Sequence, residues 1–577
     1  MSDFVQISFE GEPILARAGE SLAAALTAHG IRGLRNTRSH AERGLFCGMG
    51  VCQDCLVEID GAPNRRACMT SVAPHMAIRR QRHGHSSAMQ SSPGAVDPLP
   101  PATIDDMAVE RPELLIIGAG PGGLSAAIAA RKAGVDVLVV DERRLPGGQY
   151  FKPVAVRGAD VAPPDAQHRE GLALVQQAID AGVVIRSGVT VWGAFKTAES
   201  VASGAGALEF VASADKAATT RILPKAAIIA TGAFERGWPV PGWQLPGVMT
   251  TGAAQTLWRT ARRLPGRRVL IAGNGPLNLQ LAAELSGGGA DVVAVVEAAG
   301  PATRNLAAAA AMAAASPALV AQGLRYHWQR LRRGVPMLHD MVVAAIAQTP
   351  TGLRVTLAAT SGGPGQQMFD TDVLCLGYGF DPSNELLRAL GCRQDHDSAQ
   401  DRLVPRRDED GRTSASGVYA LGDCTGLGGA RVAAADGLLA GFAAAADLGH
   451  AISPALTQQR QAAAAAGHRH RRFQQALWQV YRAPPLRIAE VSDDTMICRC
   501  EEVCFGAARA SLADGQTQAG SVKRATRIGM GPCQGRYCRP LLEALISAQC
   551  GTAPDEFSGF APRPPVKPVL IRDLAGR

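Results

Sequence analysis

The sequence predicts a multidomain α/β protein with a small cysteine-rich domain at each end, and two observations carry that expectation. A strand, glycine turn, helix and second strand occur in that order twice in the middle of the chain, at 113–142 and 267–297. Eight of the 13 cysteines fall into two groups of four, one near each terminus. At 577 residues the chain exceeds a single hydrophobic core, and about three to five domains are expected.

Residues 1–85 read as the first small domain. Phe4–Phe9 and Pro13–Ala16 suit a hairpin around Gly11, and Ser21–His29 suits a helix with Ser21 as its N-cap. A cysteine loop then leads into a strand at Cys55–Ile59. Cys47, Cys52, Cys55 and Cys68 stand as C-x4-C-x2-C, then twelve residues, then C. That spacing is the plant-type [2Fe–2S] pattern. Gly44, Gly48 and Gly50 let the loop curl so that backbone N–H groups face the sulfurs. Structural zinc is the alternative, although zinc more often uses paired C-x2–4-C knuckles. Residues 86–111 turn to Ser, Pro and Gly and read as a linker.

Residues 112–255 and 371–450 are expected to form one dinucleotide-binding domain, with a second, 256–370, inserted into it. In the first unit, Gly118, Gly120, Gly122 and Gly123 follow a buried strand and open a helix. There Gly118 permits the turn, Gly120 lets a diphosphate approach the helix N-terminus, and Gly123 allows close helix–strand packing. Asp141 ends the next strand, where a carboxylate can accept bonds from ribose hydroxyls, and Glu142 beside it is the second candidate. Thr231–Gly232 and the strand ending at Gly422–Asp423 resemble elements of two-dinucleotide flavoproteins, and that resemblance implies FAD. The second unit has Gly273, Gly275 and Glu297, but Asn278 stands where the third glycine belongs. An asparagine there is expected to crowd the helix–strand contact. NAD(P) or another nucleotide and a structural remnant of an NAD domain are both open readings.

Residues 451–490 read as a polar helical connector ending at Pro484–Pro485, and 491–555 hold the second group, Cys498, Cys500, Cys533 and Cys538. Its pattern is C-x-C, 32 residues, then C-x4-C. Zinc carries more weight here than in the first group, and Cys504 is a competing ligand. Cys375, Cys392, Cys424 and Cys550 are isolated and are expected to be small buried apolar residues. Residues 556–577 form a proline-rich tail.

The formal charge is +8. Two oxidised clusters on eight thiolates bring roughly −4 and a flavin diphosphate roughly −2, so no nucleic-acid partner is implied. The basic run His468–Arg472 suits one helix face. No stretch reaches ~20 apolar residues, so no transmembrane segment is expected. Many free thiols point to a reducing, cytoplasmic setting, with peripheral attachment to the inner face of a membrane open. Neither C-x4-C nor C-x2-C follows Gly147–Gln149 on the central domains, which speaks against a disulfide relay.

Over nearly its whole length the sequence resembles the α subunits of amino-acid and amine dehydrogenases that are built from several chains. Those include opine oxidases, hydrogen cyanide synthase, hydroxyproline and proline dehydrogenases, and sarcosine oxidase. The resemblance rests on RGLFCGMGVCQDCLVEIDG, GAGPGGLSAAIAA, PGGQ at 146–149, ATGAFERGWPVPGWQLPGVMTTGAAQ, GYGFDPSNEL, CRCEEV and KRATRIGMGPCQGRYC. It implies a β-grasp ferredoxin-like N-terminal domain, a Rossmann-like FAD/NAD(P) core that also uses Gly148 and Gln149, and a small helical C-terminal domain. That last domain looks like the bacterioferritin-associated-ferredoxin type of [2Fe–2S] module. The implied activity is passage of electrons from C–N oxidation of a small amino or imino acid through FAD to two [2Fe–2S] clusters. The implied partner is a D-amino-acid-oxidase-like β subunit with its own flavin, with FMN a candidate at the shared interface, and an electron acceptor lies downstream. No catalytic acid–base residue is assigned. A self-contained NAD(P)H reductase and a non-catalytic electron-transfer or assembly module are the competing readings.

Overall fold

The computed structural model describes residues 4–82, 107–155, 164–197, 208–214, 219–362, 367–398, 400, 402–551 and 553–571. In the first domain the Ser21 hydroxyl caps the helix Leu22–Ala28 by accepting the Ala24 N–H. The helix buries Leu22 and Leu26 with Ile7, Phe9, Val57 and Ile78 from a mixed five-stranded sheet. Each such side chain contributes about 1.5–3 kcal/mol on burial. The strands run in the order Glu12–Arg17, Phe4–Phe9, Ala77–Arg80, Leu56–Ile59, Ala62–Arg66, which is the β-grasp arrangement. The same core continues into Ala253, Leu257 and Val269, so this domain is packed onto the central part of the molecule.

The linker expected over 86–111 lies outside the described residues as far as 106, and its end is not a spacer. Ala108–Glu110 is a strand paired in parallel with Thr220–Ile222.

The first central sheet runs Val184–Ser187, Val137–Asp141, Leu114–Ile117, Ala226–Ile229, Val418–Ala420, with every pair parallel. Leu114–Ile117 is apolar and buried at every position because both faces of a parallel sheet are covered. The second sheet runs Val248–Thr250, Val373–Gly377, Arg268–Gly273, Asp291–Glu297, Met337–His339, again all parallel. This corrects the expected boundaries. Val248–Thr250 and Val373–Gly377 belong with the inserted unit, because short apolar strands carry no local mark of which sheet will pair with them. The short antiparallel pair Ala233–Glu235 and Phe380–Pro382 is the joint where the chain passes between units and returns.

The helix Gly429–Asp447 is long and apolar enough by length and composition to cross a membrane, contrary to expectation. About 67% of that window is buried, largely against the helix Pro121–Lys132, which is how a core helix passes the same test. The connector is the helix Pro454–Val480, capped by Ser453. It lies against Gly429–Asp447 and Leu306–Ala315. The C-terminal domain has a two-stranded ribbon, Met496–Cys498 with Val503–Cys504, and three helices closed around Phe505, Leu542 and Leu545. The tail folds back, with Phe560 buried and the Val566 N–H donating to the Trp192 carbonyl at 2.8 Å.

Candidate functional site

A cavity of about 770 Å³ opens along the carboxyl ends of the first parallel sheet, where open α/β sheets take ligands. Its wall brings together Gly118, Gly120, Gly122, Gly123, Asp141, Glu142, Gly148, Gln149, Thr231, Gly232, Gly422 and Asp423. Gly118 has φ +112° and a side chain there would meet the Ala230 carbonyl at 2.3 Å; at Gly123 it would meet the Gly118 carbonyl at 1.8 Å. The turn and the helix–strand contact therefore both require glycine. Asp141 accepts the Ala119 N–H at 2.6 Å and the Arg143 N–H at 2.7 Å, one on each oxygen. Each oxygen keeps a lone pair for a ribose hydroxyl. Asp423 accepts the N–H groups of Gly428 and Gly429 at 3.2 and 3.0 Å, fixing the start of the helix Gly429–Asp447.

Glu142 behaves differently from the sequence expectation. Its carboxylate is held by Arg66 of the first domain at 2.7 Å and by Lys567 of the tail. Burial pushes its carboxyl up, but Lys567 and Arg66 outweigh that and hold it at about 2. Glu142, on the cavity wall, thus clasps the first domain to the tail.

In the second unit, Gly275 alone of Gly273, Gly275 and Glu297 reaches the cavity wall. Glu297 is buried and accepts the Gly275 N–H at 3.2 Å, and burial pushes its carboxyl up to about 8. The Asn274 amide donates to the Tyr481 carbonyl at 2.9 Å, and Trp478 lies 3.8 Å from where a Gly275 side chain would begin. The C-terminal end of the connector helix thus stands beside the glycine turn, and Asn274, Gly275, Trp478 and Tyr481 line one cavity wall together. A nucleotide at this turn would share the cavity with Trp478 and Tyr481. Asn278 does not crowd its surroundings as expected. It accepts from the Thr251 hydroxyl at 2.9 Å and donates to the Gly377 carbonyl at 3.3 Å, replacing close packing with hydrogen bonds.

The eight grouped thiols lie in two sets within which all four interact, the strongest contacts being pairwise. Cys47 interacts with Cys52 and Cys55 with Cys68; Cys498 interacts with Cys538 and Cys500 with Cys533. Among the described residues no three His, Cys, Asp or Glu side chains converge on one point, as a single metal ion needs. Pairs of thiols suit a binuclear cluster with two cysteines per iron better than one tetrahedral zinc. N–H groups of Met49 and Cys52 face the Cys47 sulfur at 3.5 and 3.4 Å, as the glycine-rich loop predicts. Cys504 precedes the helix Phe505–Ala513 and interacts with none of the four. Cys375, Cys392 and Cys424 are buried as expected, whereas Cys550 is exposed at the end of its helix.

Residues 112–437 match the pyridine nucleotide-disulphide oxidoreductase model. Residues 2–83 match a 2Fe-2S iron–sulfur cluster binding domain and 496–548 a BFD-like [2Fe-2S] binding domain. An opine oxidase subunit of Agrobacterium tumefaciens (strain Ach5) is 32% identical over 471 residues, 80% of this chain and 91% of that one. The chain belongs to this opine oxidase family, within the pyridine nucleotide-disulphide oxidoreductases. Hydrogen cyanide synthase subunit HcnB of Pseudomonas aeruginosa is 27% identical over 470 residues, 79% of this chain and 96% of that one. The crystal structure of L-proline dehydrogenase from P. horikoshii shares the fold with a TM-score of 0.70, at 19% identity, over 99% of this chain and 98% of that one. As a member of the opine oxidase family, the chain is a flavin-dependent oxidoreductase that binds FAD and two [2Fe–2S] clusters.

One pair on the cavity wall of this family member, Lys152 and Glu235, is not foreseen from the sequence. Lys152 is buried in a left-handed conformation (φ 44°), and its ammonium donates to the Gly252 carbonyl at 2.7 Å and the Thr256 hydroxyl at 3.0 Å. Burial pulls it down to about 7, against the attraction of Glu235. Glu235 accepts the Gly252 N–H at 2.8 Å, and burial pushes it up to about 7. A lysine just after the Gly147–Gln149 turn is the available signal.

Proposed function

We propose that the chain is the FAD- and [2Fe–2S]-carrying subunit of a cytoplasmic complex that oxidises the C–N bond of a small amino or imino acid. Cys47, Cys52, Cys55 and Cys68 hold one cluster and Cys498, Cys500, Cys533 and Cys538 the other. The flavin is seated between Gly118–Gly123, Asp141 and Asp423. The observation that carries this reading is a single cavity wall on which the dinucleotide fingerprint and a cysteine of the first group stand together. Bound there, FAD supplies acceptance of an electron pair, and iron–sulfur groups supply one-electron carriage.

The chain's own residues bind and enclose. Gly120 leaves room for the diphosphate, since no heavy atom stands nearer than 4.0 Å to its missing side chain. Asp423 stiffens the adjoining helix start. The Arg66–Glu142–Lys567 clasp ties the first domain and the tail to the cavity wall beside Asp141. Lys152 and Glu235 place an ammonium and a carboxyl on the cavity wall, and burial favours the neutral form of each. C–N oxidation itself falls to a flavoprotein partner of D-amino-acid-oxidase type, a division supported by relatives that are named as subunits.

Anaerobic mixing with opines, proline or sarcosine tests this. The flavin and cluster absorbance of the chain is expected to bleach with the partner present and to stay unchanged without it. Bleaching of the isolated chain by any of these donors removes the division of labour.

A further inference from the structure

Buried charges from both ends of the chain meet between the two cysteine loops, and neither flavin binding nor cluster ligation uses them. Asp54 lies between Cys52 and Cys55, and Arg499 lies between Cys498 and Cys500. Their side chains pair at 2.8 Å with 1% and 4% exposure. The other Asp54 oxygen takes Arg35 at 2.9 Å, and Arg499 also donates to the Trp243 carbonyl at 2.6 Å. The Arg499 guanidinium sits 3.7 Å over the ring of Phe46, the residue before Cys47. Phe46 in turn meets Tyr537, the residue before Cys538, edge-on with ring centres 5.3 Å apart. Arg35 lies within electrostatic reach of thiols of both groups, Cys52 and Cys500.

An ion pair buried this deeply adds little net stability, because desolvation offsets the attraction. Its placement is what calls for an explanation: every partner in the contact is a neighbour in sequence of a thiol or touches one that is. We propose that Asp54 and Arg499 are positioning residues that lock the two cysteine loops together, so that the clusters held there exchange electrons directly. The order is cavity, N-terminal group, C-terminal group, exterior. It follows from the cavity wall, which includes Cys47, Met49 and Val51 of the first loop and none of the four thiols of the second. Each transfer oxidises the N-terminal group by one electron and reduces the C-terminal group by one. No bond changes and no proton moves, and a one-electron acceptor outside the chain takes the electron on. The proposal rests on the eight cysteines being cluster ligands.

The test uses the full-length protein, reduced anaerobically in steps and followed by EPR. In the wild type, full reduction is expected to split or broaden both cluster signals through spin–spin interaction, and partial reduction to leave one unsplit signal. Arg499→Gln removes a positive charge beside both groups and is expected to lower both midpoint potentials. Asp54→Asn removes a negative charge and is expected to raise both. Two signals that simply add, or a substitution that moves one potential only, overturns the proposal while leaving the ligand assignment standing. Wild-type protein without two iron–sulfur signals overturns the assignment and the proposal together. If either variant loses iron, the wild-type splitting and its dependence on the level of reduction decide alone.

Discussion

In the first strand–turn–helix unit, Asp141 ties down the N–H of Ala119 and still faces an open cavity. In the second, Glu297 makes the equivalent tie to Gly275, but it is buried and off the cavity wall. Trp478 and Tyr481, about two hundred residues further along the chain, stand beside the second turn, where Tyr481 takes the Asn274 amide and both share the cavity wall with Gly275. Two units of the same local design therefore stand in different surroundings because of what the rest of the chain lays beside them. A fingerprint establishes a fold, and its surroundings establish a site.

The largest effect expected from this contrast is on flavin content. Gly118→Val drives a branched side chain into the Ala230 carbonyl at a positive φ. It is expected to cost about 2–4 kcal/mol and to yield protein without flavin, read as absorbance per chain after purification. Next comes nicotinamide: NADH and NADPH are expected to leave the flavin oxidised on anaerobic mixing. Fast bleaching by NADH that disappears in Glu297→Ala would break the comparison outright.

A subtler effect concerns pH. The Glu297 carboxyl titrates near 8 in the folded chain, well above the ordinary 4.5. Between those values the folded state holds a proton that the unfolded state has lost, so this group's contribution to stability falls as pH rises through that window. Glu297→Gln is expected to flatten the decline, measured as the thermal transition midpoint at pH 5 and pH 8. Smallest is Asn278→Ala, which leaves the Thr251 hydroxyl without its acceptor while the Gly377 carbonyl keeps the Asn274 N–H. A loss of about 1–2 kcal/mol in denaturant unfolding, with flavin content unchanged, is expected.

Much of this molecule is legible in its sequence because its chemistry is local. Cysteine spacing, the Gly118–Gly123 turn and the Ser21 cap depend on residues a few places apart. Features made by distant pairings are not. Val248–Thr250 and Val373–Gly377 read as plain apolar strands, and only their hydrogen-bond partners show that they belong to the second sheet. Asp54 and Arg499 are 445 residues apart, and nothing near either predicts the other. Lys152 can be noticed, since a lysine closing a glycine turn beside a flavin fingerprint is a chemistry-bearing residue. Its burial cannot.

The Glu142 clasp has a consequence for how the protein is made. A ribosome delivers Arg66 about five hundred residues before Lys567, so the grip on that carboxylate closes only after both have been made. Until then Glu142, which stands on the cavity wall, is held from one side only, and the far-separated parts of the chain that frame this wall are not yet joined.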